Sequence, residues 1–398
     1  MPRKKRPQSK QLVDADGFCE PKTEVIHQIQ VGGLWNLAIN PYHCCKRCAK
    51  KRQRKDFLPL EMVYEVLLRL PALVLFDVMR HVCRDWSLMI RSRNFIHDHL
   101  LNSPRGLMIQ SRHMSHSAIF VEMRAGCLEI SKFDRVFCCL LWTSCNGLVL
   151  TNFRDRHHLY IANPMTKQQL LLPRFFCRIV HHGRCGLAFV EASMKYKVVQ
   201  PYDYSRGFEY VKCAVLTIGV DQVWRHIDIE HLSLTARRAF MSFPLVCGGF
   251  MYWVGETVLL IMNVDTEIVS QFPIPPFGKK YQKILPMGSK MSIIATANDI
   301  LWDVWEMNPE ILEWSKLLSF DLEPQSTKIK KFLRTKMEHI EPVGWLIDRE
   351  VLVFHGAEPQ RYLIAYNVKT GEAQPIKLDM NDNYHIVQAH VNSLGWLE

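Results

Sequence analysis

LYIANPMTKQQLLLP (159–173), LLIMNVDTEIVSQFPIP (259–275) and LIAYNVKTGEAQPIKL (363–378) share one layout. Each is an apolar strand-like run, then Asn-x-x-Thr, then polar residues, then an apolar return often closed by proline. The asparagines are Asn163, Asn263 and Asn367, and the threonines Thr166, Thr266 and Thr370. Asn and Thr suit a turn between strands because their short side chains can bond nearby backbone groups. Upstream of two copies lie matching starts, Cys145-Asn146-Gly147 and Cys247-Gly248-Gly249. The copies recur about every hundred residues, the length of two propeller blades of about 40–50 residues each. Residues 104–398 would then hold six or seven blades.

The rest of that region agrees. Strand-like runs occur at 147–150, 158–162, 195–199, 212–218, 249–254, 258–262, 292–297, 350–354 and 362–368, and long amphipathic helices are hard to find. Strands separated by tight turns, without intervening helices, point to an all-β architecture. A β-propeller is the expected form, with a sandwich or barrel as the alternative. The run PLVCGGFMYWVGETVLLIMNV (244–264) carries a single charge, Glu256, and has the length of a membrane span. A carboxylate at mid-bilayer depth is costly, and two β-rich runs around Gly255-Glu256-Thr257 read as a buried hairpin. No membrane association is expected.

Upstream, residues 57–103 change character. LPLEMVYEVLLRLP (58–71) is framed by two Leu-Pro pairs. Pro59 sits where a first-turn proline is tolerated, and Pro71 blocks helix continuation. Val63, Val66, Leu67 and Leu70 fall at i, i+3, i+4 and i+7, which predicts one apolar helical face. A second stripe follows at Met79, Val82, Cys83, Trp86 and Ile90, and Asn94 is placed to cap a third helix carrying Phe95, Ile96 and Leu100. A unit this small buries little surface alone, so a partner or the following domain is required.

This segment resembles an F-box: Leu-Pro-x-Glu, an apolar pair before Arg-Leu-Pro, Leu75, Val-Cys-Arg-x-Trp at 82–86, then Ile90, Ser92 and a Phe-Ile…His-Leu tail. The downstream part, with CNGLVL, Y-x-x-NP-x-T and LLP, resembles the β-rich C-terminal region of plant F-box proteins of the kelch or F-box-associated kind. Gly248-Gly249 followed by Tyr252-Trp253 is kelch-like, in a single good copy. The resemblance implies a non-catalytic adaptor: the F-box docks on a Skp-type adaptor within a cullin-based ubiquitin ligase, and the β domain captures a target protein. The contacts it implies are Leu58, Pro59, Glu61, Val66, Leu67, Leu70, Pro71, Leu75, Val82, Cys83 and Trp86. For any one of them, a place in the small core is the competing reading.

The formal net charge is +11, and residues 1–55 contribute most of it with thirteen Lys/Arg against four Asp/Glu. Like-charge repulsion and few large apolar groups make residues 1–56 an expected disordered arm. Arg3, Lys4, Lys5 and Arg6 form a nuclear-import candidate, and a nucleic-acid-binding protein using this arm is the alternative function. The body, with 37 basic and 35 acidic side chains, argues against a broad phosphate-binding face. Thirteen scattered cysteines and a charged start point to reduced thiols in the nucleus or cytoplasm.

His43-Cys44-Cys45-Lys46-Arg47-Cys48 holds a Cys-x-x-Cys, but a second ligand pair at zinc-finger spacing is missing, so no metal is expected. His157-His158 and His181-His182 read as loop histidines, Cys138-Cys139 as core, and Trp302, Trp305 and Trp314 as blade packing. No phosphate-cradling Gly-rich loop, His-Glu-x-x-His or Gly-x-Ser-x-Gly is present, and no cofactor is expected.

Overall fold

The computed structural model describes residues 58–395 apart from 112–116, 125, 135–139, 153–157, 176–178, 181–183, 204–210, 275–280, 309–310, 334–335, 357–361 and 379–384. Four helices open it: α1 (Leu60–Leu68), α2 (Ala72–Asp77), α3 (Arg84–Ile90) and α4 (Arg93–Asn102). Six sheets follow, arranged as the blades of a propeller. All nine runs read as strands in the sequence are strands.

Blade one pairs β1 (Arg105–Ser111), β2 (Ser117–Arg124) and β3 (Cys127–Asp134) with the last strand of the chain, β25 (His385–Val391). Blade two is β4 (Leu141–Cys145), β5 (Leu148–Asn152), β6 (Leu159–Ala162) and β7 (Gln169–Leu171). Blade three is built from β8 (Ile179–Val180), β9 (Gly186–Val190), β10 (Lys195–Asp203), β11 (Val211–Thr217) and β12 (Arg225–Ile227). Blade four is β13 (Leu245–Cys247), β14 (Phe250–Val254), β15 (Val258–Asn263) and β16 (Val269–Pro273). Blade five is β17 (Tyr281–Met287), β18 (Lys290–Thr296), β19 (Leu301–Asn308) and β20 (Glu313–Asp321). Blade six is β21 (Ile340–Ile347), β22 (Val351–Gly356), β23 (Tyr362–Asn367) and β24 (Ala373–Lys377). The innermost strands β25, β4, β9, β13, β17 and β21 contact one another in ring order, and the antiparallel register Arg105↔Val391 through Ser111↔His385 closes the ring.

Each pair of neighbouring blades shares one apolar seam. In blade four, Met251, Trp253, Leu260 and Met262 face blade three, while Tyr252, Leu259 and Ile261 face blade five. The period is two, as strands require, but both faces are buried, so the strand reads as one continuous apolar run. That is why 244–264 has the composition of a membrane span; Gly255 N donates to Val258 O at 2.8 Å in the hairpin turn between β14 and β15. No described helix is long and apolar enough to cross a membrane. Trp302 lies in the blade five–six seam, edge-on to Phe354 at 5.7 Å.

The repeated Asn-x-x-Thr motif is the turn between the third and outer strands of blades two, four and six. Asn163 Oδ1 accepts from Met165 N (2.8 Å) and Thr166 N (3.2 Å). Asn263 Oδ1 accepts from Asp265 N and Thr266 N, and Asn367 Oδ1 from Lys369 N and Thr370 N, at 2.9–3.1 Å. The fourth residue after each Asn has left-handed φ: Lys167 (60°), Glu267 (61°) and Gly371 (72°). Blade five carries a copy that the sequence reading missed, with Leu312 at φ 57° and its N donating to Asn308 O at 2.8 Å. Its Asn is followed by no threonine, so the motif was hidden.

Cys145-Asn146-Gly147 and Cys247-Gly248-Gly249 are the two-residue turns from innermost to second strand. At these turns the blades approach closely. A Cβ on Gly248 would sit 2.1 Å from Ser289 O of blade five, and one on Gly147 2.2 Å from Ser393 Cβ beyond the closing strand. Both turn types emerge at one end of the strands, hereafter the tight-turn end. The longer connections, among them 227–245 and 321–340, emerge at the opposite end and carry α5 (Leu234–Ala239) and α6 (Ser326–Leu333).

Gly248→Ala is expected to destabilise the propeller by clearly more than Gly249→Ala. Both residues have positive φ, worth about 1–2 kcal/mol to an L side chain, but Gly249 has open space where Gly248 meets backbone. Thermal denaturation of the two variants checks the order.

His390 ties the closing strand to blade two. It is buried, with Nδ1 2.7 Å from Ser144 Oγ, and burial pushes its pKa down to about 3. The unfolded chain binds this proton near pH 6.5 and the folded chain does not, so the contribution is present above that pH and lost as pH falls toward 3. His390→Gln is expected to flatten the loss of unfolding free energy between pH 6 and 4 by about 1.4 kcal/mol per pH unit, read by denaturant titration at each pH.

Candidate functional site

The helical module begins with a helix bracketed by prolines. Pro59 caps α1, its carbonyl accepting from Met62 N and Val63 N at 3.0 and 3.1 Å. Pro71 caps α2 and its carbonyl accepts from Leu75 N at 3.1 Å, so one proline ends the first helix and starts the second. Cys83 is the N-cap of α3, its Sγ accepting from Trp86 N at 3.5 Å. Met79, Val82 and Cys83 therefore precede α3 rather than share a face with Trp86 and Ile90, because a 3₁₀ turn at Met79–His81 intervenes. The cap of α4 is Ser92, whose Oγ accepts from Phe95 N at 3.3 Å; Asn94 lies inside the helix, two positions too late to cap it.

Phe95 organises the interior of the module. Tyr64 packs edge-on to it at 5.2 Å and His99 stacks on it at 6.0 Å. Tyr64 O–H donates to Asp98 Oδ2 at 2.6 Å; burial first, then the Asp98 carboxylate, raises the phenol to about 12. His99 Nε2–H donates to Leu70 O at 2.9 Å, holding the α1–α2 turn against α4, and burial lowers the imidazole pKa. The module's core is continuous with the propeller's. Leu67, Ala72, Leu75, Ile90 and Phe95 share one cluster with Phe120 and Phe133 of blade one and Val149, Ala162 and Met165 of blade two.

The sequence-derived contact residues divide three ways. Leu58, Pro59, Glu61, Val66, Val82 and Cys83 are exposed, and Leu70, Pro71 and Trp86 are half-buried. Leu67 and Leu75 are 1% and 0% exposed, so both shape the module from within and offer no surface. One helical face was expected to hold Val66 and Leu67 together, but 100° of rotation separates them: Leu67 turns into the shared core and Val66 stays 55% exposed. Sequence reading passed over Leu60, Met62, Leu73 and Leu88, which are 48–60% exposed. Met62 and Val66 lie four residues apart on α1, a spacing that could have marked the outward stripe. So many uncovered aliphatic side chains on so small a unit form the candidate site.

A cleft of about 320 Å³ separates the α1–α2 turn from blade one, lined among others by Arg69, Leu70, Pro71, Glu122, Arg124 and Asn392. Glu122 is raised by burial and tempered by Arg124, whose guanidinium donates to it at 3.4 Å. Among the described residues no group of three or more His, Cys, Asp or Glu is placed to hold a metal. Arg3, Lys4, Lys5, Arg6, Cys44, Cys45, Cys48, Cys138-Cys139, His157 and His181-His182 lie outside the described residues. His158 accepts from Arg174 Nε at 2.8 Å.

Comparison with known proteins matches residues 110–394 to the F-box associated beta propeller domain. Similar proteins of Arabidopsis thaliana include a putative F-box/kelch-repeat protein, 21% identical over 373 residues, covering 79% of this chain and 84% of the relative. A putative F-box protein is 23% identical over 286 residues, covering 65% and 76%. An F-box/kelch-repeat protein is 24% identical over 305 residues, covering 66% and 79%.

Truncating the two kinds of leucine separates core from surface. Leu75→Ala is expected to cost about 2–5 kcal/mol, whereas Leu73→Ala should stay within about 0.5 kcal/mol, both measured by chemical denaturation.

Proposed function

The chain belongs to the plant-type F-box proteins with an F-box-associated β-propeller, and on that premise we propose that it is a substrate-recognition subunit of an SCF-type cullin ubiquitin ligase. Residues 58–102 dock on a Skp-type adaptor, and the propeller captures a protein target without catalysing a reaction itself. One observation carries this reading. Leu58, Leu60, Met62, Val66, Leu73, Val82 and Leu88 are 42–62% exposed, while Leu67, Ala72, Leu75, Ile90 and Phe95 of the same segment are buried in the cluster shared with the propeller. A chain that needed these helices only for stability would gain by covering them, since each buried Leu, Met or Val side chain is worth about 1.5–3 kcal/mol. Left uncovered, they fit a groove in a partner's helix bundle.

The topology supports a division of labour. The module attaches next to Arg105, at the tight-turn end, and packs on Met165 in the blade two turn. The long connections emerge at the other end of the strands, where an adaptor seated on the module leaves them accessible to a target. Residence in the nucleus or cytoplasm, with Arg3, Lys4, Lys5 and Arg6 as import signal, belongs to the same proposal.

Co-purification with a Skp-type adaptor tests it. Leu58→Ala combined with Pro59→Ala is expected to abolish the association while leaving the β-sheet circular dichroism and the thermal transition intact. Adaptor recovery at the wild-type level would refute the docking assignment.

A further inference from the structure

The near-neutral body conceals one local concentration of charge. KIKKFLRTK (328–336) holds five basic residues and no acid, and its first six residues form the greater part of α6. The helix is amphipathic. Ile329 and Leu333 are buried in the blade five–six seam, and Phe332 packs on Tyr362 at 5.4 Å. Lys328, Lys330 and Lys331 are exposed and have no ion-pair partner among the described residues. Lys377, also exposed, ends β24, one of the two strands against which α6 packs.

This arrangement is costly for the helix itself. Eight residues span about 12 Å, and like charges one turn apart, as at Lys328 and Lys331, oppose helix formation by a few tenths of a kcal/mol. The helix dipole favours cations only in the last turn, which accounts for Lys330 and Lys331 and leaves Lys328 unexplained. Negative charge supplied from outside would relieve the repulsion. The helix lies in the connection from β20 to β21, at the end of the strands opposite the helical module.

We propose that α6 reads an acidic segment of the target protein, Lys328, Lys330 and Lys331 pairing with its carboxylates beside the half-buried Phe332–Tyr362 pair; this rests on the reading of the propeller as the capture domain. A nucleic acid is the less suited ligand. A duplex carries a charge about every 1.7 Å along its axis, whereas beyond this patch the 343 residues after the arm are nearly neutral.

The test is fluorescence anisotropy of a short labelled Glu/Asp-rich peptide against the full chain, with its Gln/Asn counterpart as control. The variant Lys328→Gln, Lys330→Gln, Lys331→Gln keeps good helix formers and is checked by thermal denaturation. Loss of three exposed charge pairs is expected to weaken binding roughly tenfold, with affinity falling as salt rises and the neutral peptide not binding. Equal affinity of variant and wild type would overturn the proposal, as would tighter binding of a DNA duplex displaced by the same substitutions. So would loss of peptide binding on Arg3→Gln, Lys4→Gln, Lys5→Gln, Arg6→Gln with none on the α6 substitutions, which would put the peptide on the arm. Adaptor co-purification of the α6 variant is read in parallel. Retained adaptor with unchanged peptide affinity sinks the α6 assignment alone, whereas an adaptor that never co-purifies with wild type sinks the broader function.

Discussion

The pairing of the last strand with the first holds the molecule together. Residues 105–111 and 385–391 are nearly the full length of the propeller apart in sequence, and their antiparallel ladder closes the ring. Every seam depends on that ladder, because a blade buried on both faces needs a neighbour on each side. An open ring would leave the faces of blades one and six bare, with Leu107, Ile109, Val353 and Leu363 exposed to water. The closing strand also reaches blade two: His390 meets Ser144, Gln388 Nε2 donates to Trp142 O at 3.1 Å, and beyond the strand Asn163 Nδ2 donates to the carbonyls of Ser393 and Gly395. Pairings of such sequence separation are intrinsically slow, because the loop-closure entropy must be met before their contacts are gained.

The helical module depends on the same region. It enters β1 directly, and its buried residues complete the seam between blades one and two that the closing strand draws together. The module and the propeller therefore form one core rather than two joined by a tether, consistent with residues 56–398 clustering as one compact unit. A module held this way presents its uncovered leucines in a direction fixed by the propeller.

A two-blade rhythm runs through the architecture. The Asn turn marks blades two, four and six in the sequence, and helices pack on the seams one–two, three–four and five–six. Where the motif needs help, charge supplies it: Glu267, in the left-handed position of the blade four turn, meets Lys197 at 2.8 Å and Arg225 at 2.8 Å, and these bonds, Arg225 first, keep its carboxyl below the usual range.

Local chemistry was legible in the sequence wherever it repeats or breaks a chain. Asn-x-x-Thr at hundred-residue spacing reported turns and blade pairs, because an Asx bond involves only neighbours in the chain. Paired prolines reported the ends of short helices for the same reason. Period two with both faces apolar reported strands buried on each side. Three things were decided only by tertiary packing. Which of two adjacent residues, Val66 or Leu67, faces out depends on what α1 rests against. Why Gly248 must lack a side chain depends on Ser289, forty-one positions away. That the lysines of α6 gather at the end of the strands away from the helical module depends on the ring being closed. In each case the deciding atoms are distant in sequence and adjacent in space, and composition and periodicity hold no information about such neighbours.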